Sequence, residues 1–275
     1  MSPSSEPEPA FSDHLDGQRR YKEALLSPEW DVGGGLEPRL KYAILATPRT
    51  GSEFLCASLC RRGIGVPLEY LGVFSIAERL GCRDEAGNTP LGPYFAQLHA
   101  KRTTPNGIFG IKVLSMQLRR FAGNDIPAAA DFFSSFDRVL LLRRKDKLLQ
   151  AISWARAVQT KRYHGFVGEA EQALTQPDLL LFDQIATQLA AIVSEDRYAA
   201  RVVARVDPGK VKGVWYEQLS ETVIDAIAAW LSAGAEPIDL TRPPYVDHPV
   251  PRRGNVDQAQ ALKRRFLAYV AGEAG

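Results

Sequence analysis

A short turn, residues 46–52 with the sequence Ala-Thr-Pro-Arg-Thr-Gly-Ser, combines an arginine, hydroxyl groups and a glycine between two structured segments. The apolar run before it predicts a buried parallel strand, and Leu55 and Leu59 after it are spaced as one face of a helix. Because backbone N–H groups and a partial positive charge meet at a helix N-terminus, the turn predicts an anion site. We expect Ser52 to cap the helix and Arg49 to clamp the anion.

This turn differs from the usual ATP-binding loop, which has two glycines, the second followed by a lysine and a hydroxyl residue. Residues 46–52 contain one glycine and no lysine. On this segment alone, an ordinary strand–turn–helix connection is as good an interpretation as a phosphate site.

A second segment, residues 136–154, places a run of basic side chains between an apolar strand and a helix. Ligands of open parallel sheets bind beyond the carboxyl ends of the strands, so Arg144 and its neighbours are expected on the same side of the sheet as the first turn. Ser153, set back in the helix, can point its hydroxyl toward the same anion. The alternative for this segment is a solvated charged turn without a ligand.

The elements that would position these residues are predicted from apolar runs and their periodicity. Strands are expected at 41–47, 107–114, 138–143 and 210–216, and helices near 15–26 and at 53–62, 146–162, 179–195, 220–232 and 256–271. Long crossovers between strands predict a mostly parallel, doubly wound sheet flanked by helices, an α/β three-layer fold of the P-loop type. Residues 82–106 are expected to be loop-rich, and an N-terminal extension at 1–38 precedes a single domain at 39–275.

The composition is ordinary for a globular protein, with 45% hydrophobic and 24% charged residues in a chain of 275. The net charge of +2 favours local anion sites over a nucleic-acid surface. No apolar run approaches the roughly 20 residues that span a bilayer, and residues 1–10 lack a signal-peptide core, so we expect a cytoplasmic protein without a transmembrane segment. Cys56 and Cys60 are interpreted as buried hydrophobes rather than ligands, and no metal site is predicted.

Together, the two basic segments resemble the bacterial trehalose 2-sulfotransferase family, whose donor is 3'-phosphoadenosine 5'-phosphosulfate. The resemblance covers most of residues 41–219, and the closest stretch is 150–160, Gln-Ala-Ile-Ser-Trp-Ala-Arg-Ala-Val-Gln-Thr. It implies a donor site with three parts: a 5'-phosphosulfate loop of Arg49, Thr50, Gly51 and Ser52 continuing into Glu53 and Phe54; a 3'-phosphate pair of Arg144 and Ser153; and a second 3'-phosphate loop of Arg252, Arg253 and Gly254. For the last of these, a basic linker between helices is an equal alternative.

The resemblance also implies catalytic residues. Residues 67–70, Pro-Leu-Glu-Tyr, resemble the family's Pro-x-Glu-aromatic segment, which makes Glu69 the general base, although a simple ion pair with an arginine is the alternative. Residues 110–112, Gly-Ile-Lys, match the family's Gly-x-Lys segment and place Lys112 near the transferred group, where Arg49 would also act. The resemblance implies that Gln117 contacts the acceptor or lies at a helix start. The simpler alternative is a surface glutamine.

Two departures from the family pattern bear on the ligands. Glu53 stands where a threonine is common, and its carboxylate would repel a bound anion unless it points away. Ser115 and Met116 replace an aromatic residue that could stack on a sugar, so trehalose is not assured as the acceptor.

The function implied is transfer of a sulfuryl group to a hydroxyl of a carbohydrate or glycolipid, and family members hint at a homodimer. The alternatives are a P-loop kinase or other NTPase, and a non-catalytic nucleotide-binding or carbohydrate-binding homologue.

Overall fold

A computed structural model of the protein describes residues 27–72, 77, 79–82, 85, 89–160, 178–236, 238 and 256–273. The helix expected near 15–26 and the loop of Arg252, Arg253 and Gly254 lie outside the described residues.

The centre of the molecule is a sheet of four parallel strands in the described part of the chain. They are β1 (Leu40–Ala46), β2 (Ile108–Leu114), β3 (Arg138–Arg143) and β4 (Val211–Trp215), in the order β2-β1-β3-β4. Each strand lies within two residues of its expected position. The parallel sheet is therefore confirmed, and its order places β1 between β2 and β3.

The strands end level with one another at the edge of the sheet that carries the two basic segments. Ala46 at the end of β1 pairs with Leu114 of β2 and with Leu142 of β3, and Arg143 pairs with Trp215 at the end of β4. The turns that follow all four strands consequently meet at this edge.

Helices connect the strands. They are α1 (Ser52–Arg61), α2 (Leu91–Arg102), α3 (Ser115–Ala122), α4 (Ile126–Ser134), α5 (Lys147–Thr160), α6 (Asp178–Val203), α7 (Glu221–Ser232) and α8 (Val256–Val270). Five of the expected helices are confirmed, as α1, α5, α6, α7 and α8, although α6 continues eight residues beyond its expected end. The α/β architecture with helices around a parallel sheet is thus the observed fold.

The expectation of a loop-rich segment at 82–106 is wrong for its second half, which forms α2. Gly92 and Pro93 made this segment look like a loop, but proline is tolerated in the first turn of a helix, where its missing N–H would have no partner. The helix buries Tyr94 and Leu98 against the sheet. The short helices α3 and α4 were not expected either.

Apolar side chains pack on both faces of the sheet, because successive residues of β1 point to opposite sides. Tyr42 and Ile44 belong to a core cluster with residues of α1 and α7, whereas Ala43 and Leu45 belong to a second cluster with residues of α2, α4 and α6. A third cluster joins α5, α6 and α8. In the parts of the chain that the structure describes, no helix has the length and apolarity needed to cross a membrane.

Residues 27–38, the described part of the expected extension, pack against α2. Trp30 is buried in the core, and the N–H groups of Gly33 and Gly35 donate to the carbonyls of Lys101 and Ala100, each at 3.0 Å.

Candidate active site

The turn after β1 has an unusual backbone. Both Arg49 (φ 64°) and Gly51 (φ 75°) adopt left-handed conformations, which glycine accepts easily and arginine rarely does. Gly51 is the N-cap of α1 and makes no side-chain capping bond, while Ser52 is the first helical residue. The expectation that Ser52 caps α1 is therefore wrong, because a left-handed residue is needed one position earlier to turn the chain into the helix.

The side chain of Arg49 bridges this turn to α5. Its Nε donates to the hydroxyl Oγ of Ser153 at 3.0 Å, and the Nη1 of Arg144 donates to the backbone carbonyl of Arg49 at 3.3 Å. Arg49 thus meets two residues about a hundred positions further along the chain, Arg144 and Ser153, at the carboxyl edge of the sheet. All three are partly buried, so a ligand can still reach them.

The guanidinium of Arg144 rests on an aromatic ring. Its Cζ lies 4.7 Å from the ring centroid of Tyr216, the first residue after β4, and burial lowers the pKa of Arg144. Its Nε is buried and hydrogen-bonds to no atom of the described residues. Arg143 instead stacks on Trp215, with its Cζ 4.3 Å from the centroid. The two neighbouring arginines therefore stack on two different aromatic rings, and Arg144 also donates to the turn after β1.

Sequence reasoning missed Tyr216. The same ring occupies the space beside Gly51, where a Cβ atom would lie 2.6 Å from its Cδ2. Two consecutive aromatic residues where β4 ends, Trp215 and Tyr216, level with Arg143 and Arg144, were the available signal. Tyr216 thus contacts both the turn after β1 and Arg144, one of the residues predicted to bind the anion.

A second group of polar side chains surrounds Glu69. The residue before it, Leu68, forms a parallel bridge with Ile111, and the N–H of Lys112 donates to the Leu68 carbonyl at 2.9 Å. This pairing holds the segment beside β2, so that Lys112 Nζ lies 2.6 Å from Glu69 Oε1. Only 1% of the Lys112 side chain and 11% of the Glu69 side chain are exposed. The ion pair is therefore largely buried.

Gln117 completes this group from the first turn of α3. Its Oε1 accepts a hydrogen bond from the N–H of Leu114 at 3.1 Å, and its Nε2 donates to Glu69 Oε2 at 2.6 Å. The bond to Leu114 requires an oxygen on that side of the amide, so the nitrogen must face the carboxylate. Gln117 is thus at the helix start, as one expectation had it, and it also contacts Glu69. It is not a plain surface glutamine.

Cys56 on α1 is buried close to the Glu69–Lys112 pair. Burial raises the pKa of its thiol to about 12, and the charge of Lys112 opposes this shift while that of Glu69 adds to it. Burial likewise raises the pKa of Cys60 to about 12. Among the described residues, no group of three histidine, cysteine, aspartate or glutamate side chains could hold a metal ion.

The remaining residues expected at the donor loop lie around the start of α1. Thr50 is buried, and its hydroxyl donates to the Thr47 carbonyl at 2.9 Å, which closes the turn. Glu53 and Phe54 follow in the first turn of α1 and are partly buried, and Phe54 packs against the core cluster shared with α7.

The architecture agrees with a comparison to protein families. The family model described as Stf0 sulphotransferase matches residues 41–248, about three quarters of the chain. The chain belongs to the Stf0 sulphotransferase family. No curated protein matched it. Membership in the Stf0 family supports a transferase enzyme, and the matched range includes Arg49, Glu69, Lys112, Arg144 and Ser153.

Proposed function

We propose that this protein transfers a sulfuryl group from 3'-phosphoadenosine 5'-phosphosulfate to a hydroxyl of a carbohydrate or glycolipid acceptor. The observation that carries the proposal is the convergence of Arg49, Arg144 and Ser153 at the carboxyl edge of the sheet, next to the N-terminus of α1. Family membership supports the reaction class. The donor, the acceptor class and the residue roles are our inference.

The residues present fit a donor with two anionic ends. Backbone N–H groups at the start of α1 have no partners within the helix and are suited to the 5'-phosphosulfate, beside Arg49. The Nε of Arg144, which is buried and has no partner among the described residues, and the Ser153 hydroxyl are suited to the 3'-phosphate. Arg252, Arg253 and Gly254, outside the described residues, are proposed to add a second 3'-phosphate loop.

In the proposed reaction, Glu69 acts as the general base. The acceptor hydroxyl gives its proton to the carboxylate while its oxygen bonds to sulfur, and the bond from sulfur to the phosphate oxygen breaks, which releases adenosine 3',5'-bisphosphate. The 11% of the Glu69 side chain that is exposed supports an approach of the acceptor from solvent. Gln117 donates to Oε2 of Glu69 and thereby fixes the orientation of the carboxylate. We also propose Gln117 as an acceptor-binding residue.

Lys112 has two successive partners in this mechanism. Before the reaction its ammonium neutralises Glu69 at 2.6 Å. When Glu69 takes up the proton, the attraction between the two charges is lost, and the ammonium becomes available to the oxygens of the sulfuryl group. Because a sulfuryl group carries less negative charge than a terminal phosphate, we propose that Arg49, Lys112 and backbone donors stabilise it without a metal ion.

The organisation of the whole chain is also a proposal. We infer that residues 39–275 form one sulfotransferase domain with an N-terminal extension at 1–38, which the match to 41–248 supports in part. A homodimer, a cytoplasmic location and the lack of a nucleic-acid partner remain predictions from the sequence.

Calorimetric titration with adenosine 3',5'-bisphosphate, compared with ADP plus magnesium, tests the donor site. We expect micromolar binding of the bisphosphate alone, a loss of this binding in Arg144→Ala, and no change in Arg205→Ala, which removes an exposed arginine from the turn after α6. Preference for ADP with magnesium would instead identify a kinase or NTPase. If the protein binds the bisphosphate but transfers no sulfuryl group from 3'-phosphoadenosine 5'-phosphosulfate to any acceptor in a sugar and glycolipid screen, it is a non-catalytic homologue.

A further inference from the structure

One buried amide connects α5 to the turn after β1. The side chain of Gln150 is fully buried, and its Nε2 donates to the hydroxyl of Thr47 at 2.9 Å and to the carbonyl of Pro48 at 2.6 Å. Gln150 lies three residues before Ser153, on the same face of α5. Since Ser153 accepts from Arg49, one helix face holds three consecutive residues of the turn.

A second connection runs from the same turn to α6. The hydroxyl of Thr47 donates to Oδ1 of Asp196 at 3.1 Å, and Oδ2 of Asp196 pairs with the ammonium of Lys147 at the start of α5. Thr47 therefore accepts from Gln150 and donates to Asp196. The turn, α5 and α6 are joined in one polar network beneath the predicted donor loop.

The chemistry of Gln150 favours positioning over simple stabilisation. Its Oε1 is buried and accepts no hydrogen bond from the described residues, so only the donor half of the amide is used. Burying an unsatisfied carbonyl is unfavourable, and an apolar side chain of similar size would avoid this cost. What an apolar side chain would lose is the link to Thr47 and Pro48, just before the left-handed Arg49.

We propose that Gln150 is a positioning residue for the donor loop. It anchors Thr47 and Pro48 so that Arg49 keeps its left-handed backbone and its side chain stays aligned with Ser153, before any ligand arrives. This inference rests on the proposed function for its consequence in donor binding, but the anchoring of the loop is a property of the unliganded protein. Gln150 itself need not contact the donor.

The test compares the full-length protein with Gln150→Met and with Gln159→Met, a matched control nine residues along the same helix. Hydrogen–deuterium exchange of a peptide covering residues 47–54, without nucleotide, measures the anchoring. We expect exchange to be about tenfold faster in Gln150→Met alone, and binding of adenosine 3',5'-bisphosphate to weaken about ten- to hundredfold, as for one or two lost buried hydrogen bonds.

Each outcome decides the inference. If the peptide 47–54 exchanges at the same rate in Gln150→Met as in the wild type, the inference is overturned and Gln150 is a structural residue. This holds with or without a lower melting temperature. Failure of the wild type to bind the bisphosphate overturns the proposed function, whereas the exchange data still decide the anchoring. If Gln150→Met does not fold, Thr47→Val takes its place, since at nearly constant volume it removes the hydroxyl that accepts from Gln150 and donates to Asp196. Faster loop exchange is again expected, and unchanged exchange overturns the inference.

Discussion

Glu69 divides its two carboxylate oxygens between a buried ammonium and an amide, which leaves little freedom for the side chain. In Glu69→Gln the shape is retained but the group can no longer accept a proton from the acceptor. We expect kcat to fall by about a hundredfold or more, the usual contribution of a general base, while the affinity for adenosine 3',5'-bisphosphate is unchanged. Steady-state kinetics and calorimetry measure the two quantities.

Asp131→Asn is the control for this variant, because Asp131 is an exposed carboxylate on α4. It should retain wild-type kcat. If Glu69→Gln also turned over near the wild-type rate, Glu69 would be an ion-pair partner of Lys112 and the base would have to be sought elsewhere.

Lys112 links the chemistry of the site to the stability of the fold. Its replacement by methionine leaves the carboxylate of Glu69 largely buried without its cation, and we expect the free energy of unfolding to fall by about 3 kcal/mol. Urea denaturation measures this loss. The double variant Lys112→Met with Glu69→Gln should regain part of it, because it removes the unpaired charge. Equal destabilisation of the single and double variants would attribute the loss to packing.

At the scale of elements, the junction of β1 and α1 depends on Gly51. An alanine at position 51 would place its Cβ atom 2.6 Å from the Tyr216 ring. It would also have to keep the left-handed backbone, with φ 75°. We expect Gly51→Ala to lower the free energy of unfolding by about 1–3 kcal/mol and to weaken bisphosphate binding, since the turn must shift. Thermal unfolding and calorimetry are the measurements.

Gly213→Ala provides the comparison for this substitution, because Gly213 lies in β4 and a Cβ atom added there would meet no atom within 4 Å. It should leave both quantities near their wild-type values. Wild-type bisphosphate affinity in Gly51→Ala would mean that the conformation of the turn does not control the donor site.

The start of α5 is held by a carboxylate from the segment after β4. Glu217 accepts from the N–H groups of Lys145 at 2.9 and 3.0 Å and of Asp146 at 3.1 Å. Burial opposes ionisation of Glu217, but these bonds outweigh it and hold its pKa below the usual 4.5. The anion site at this helix end is therefore filled by the protein itself.

A lowered pKa makes this contact sensitive to acid. The contribution of Glu217 to the free energy of unfolding should be complete above pH 4.5 and should disappear as the pH falls through the lower pKa of the folded state. The difference in stability between the wild type and Glu217→Gln, from urea titrations at several pH values, should thus be constant near neutrality and shrink in acid. Exposed Glu37→Gln is the control. A difference that persists in acid would point to packing instead.

The elements differed in how well the sequence predicted them. Leu40–Ala46 is a nearly continuous apolar run because both faces of this central strand are covered, so its position could be predicted to within two residues. The helix Leu91–Arg102 has a weak amphipathic pattern and a Gly-Pro pair in its first turn, so its helical state depends on the burial of Tyr94 and Leu98 by the rest of the fold. That information is not local.

At the scale of the whole molecule, the convergence of Arg49 with Arg144 follows from topology. Parallel strands end on one side of the sheet, so two basic turns after neighbouring strands must meet there, and this could be predicted. The contact of Arg144 with Tyr216 and the bond from Thr47 to Asp196 join segments that are far apart in the chain. They depend on the register between β3 and β4 and on the path of α6, which no local pattern encodes.

The buried state of the thiols has a practical use for spectroscopy. Cys56, Cys60 and Cys82 are buried free thiols, and because burial raises the pKa of all three, little thiolate is available to react. Native protein treated with maleimide should show no adduct by mass spectrometry, and denatured protein should show three. An adduct on native protein would contradict the burial. A fluorophore could then be attached at one introduced surface cysteine, such as Glu37→Cys, with the native thiols left in place.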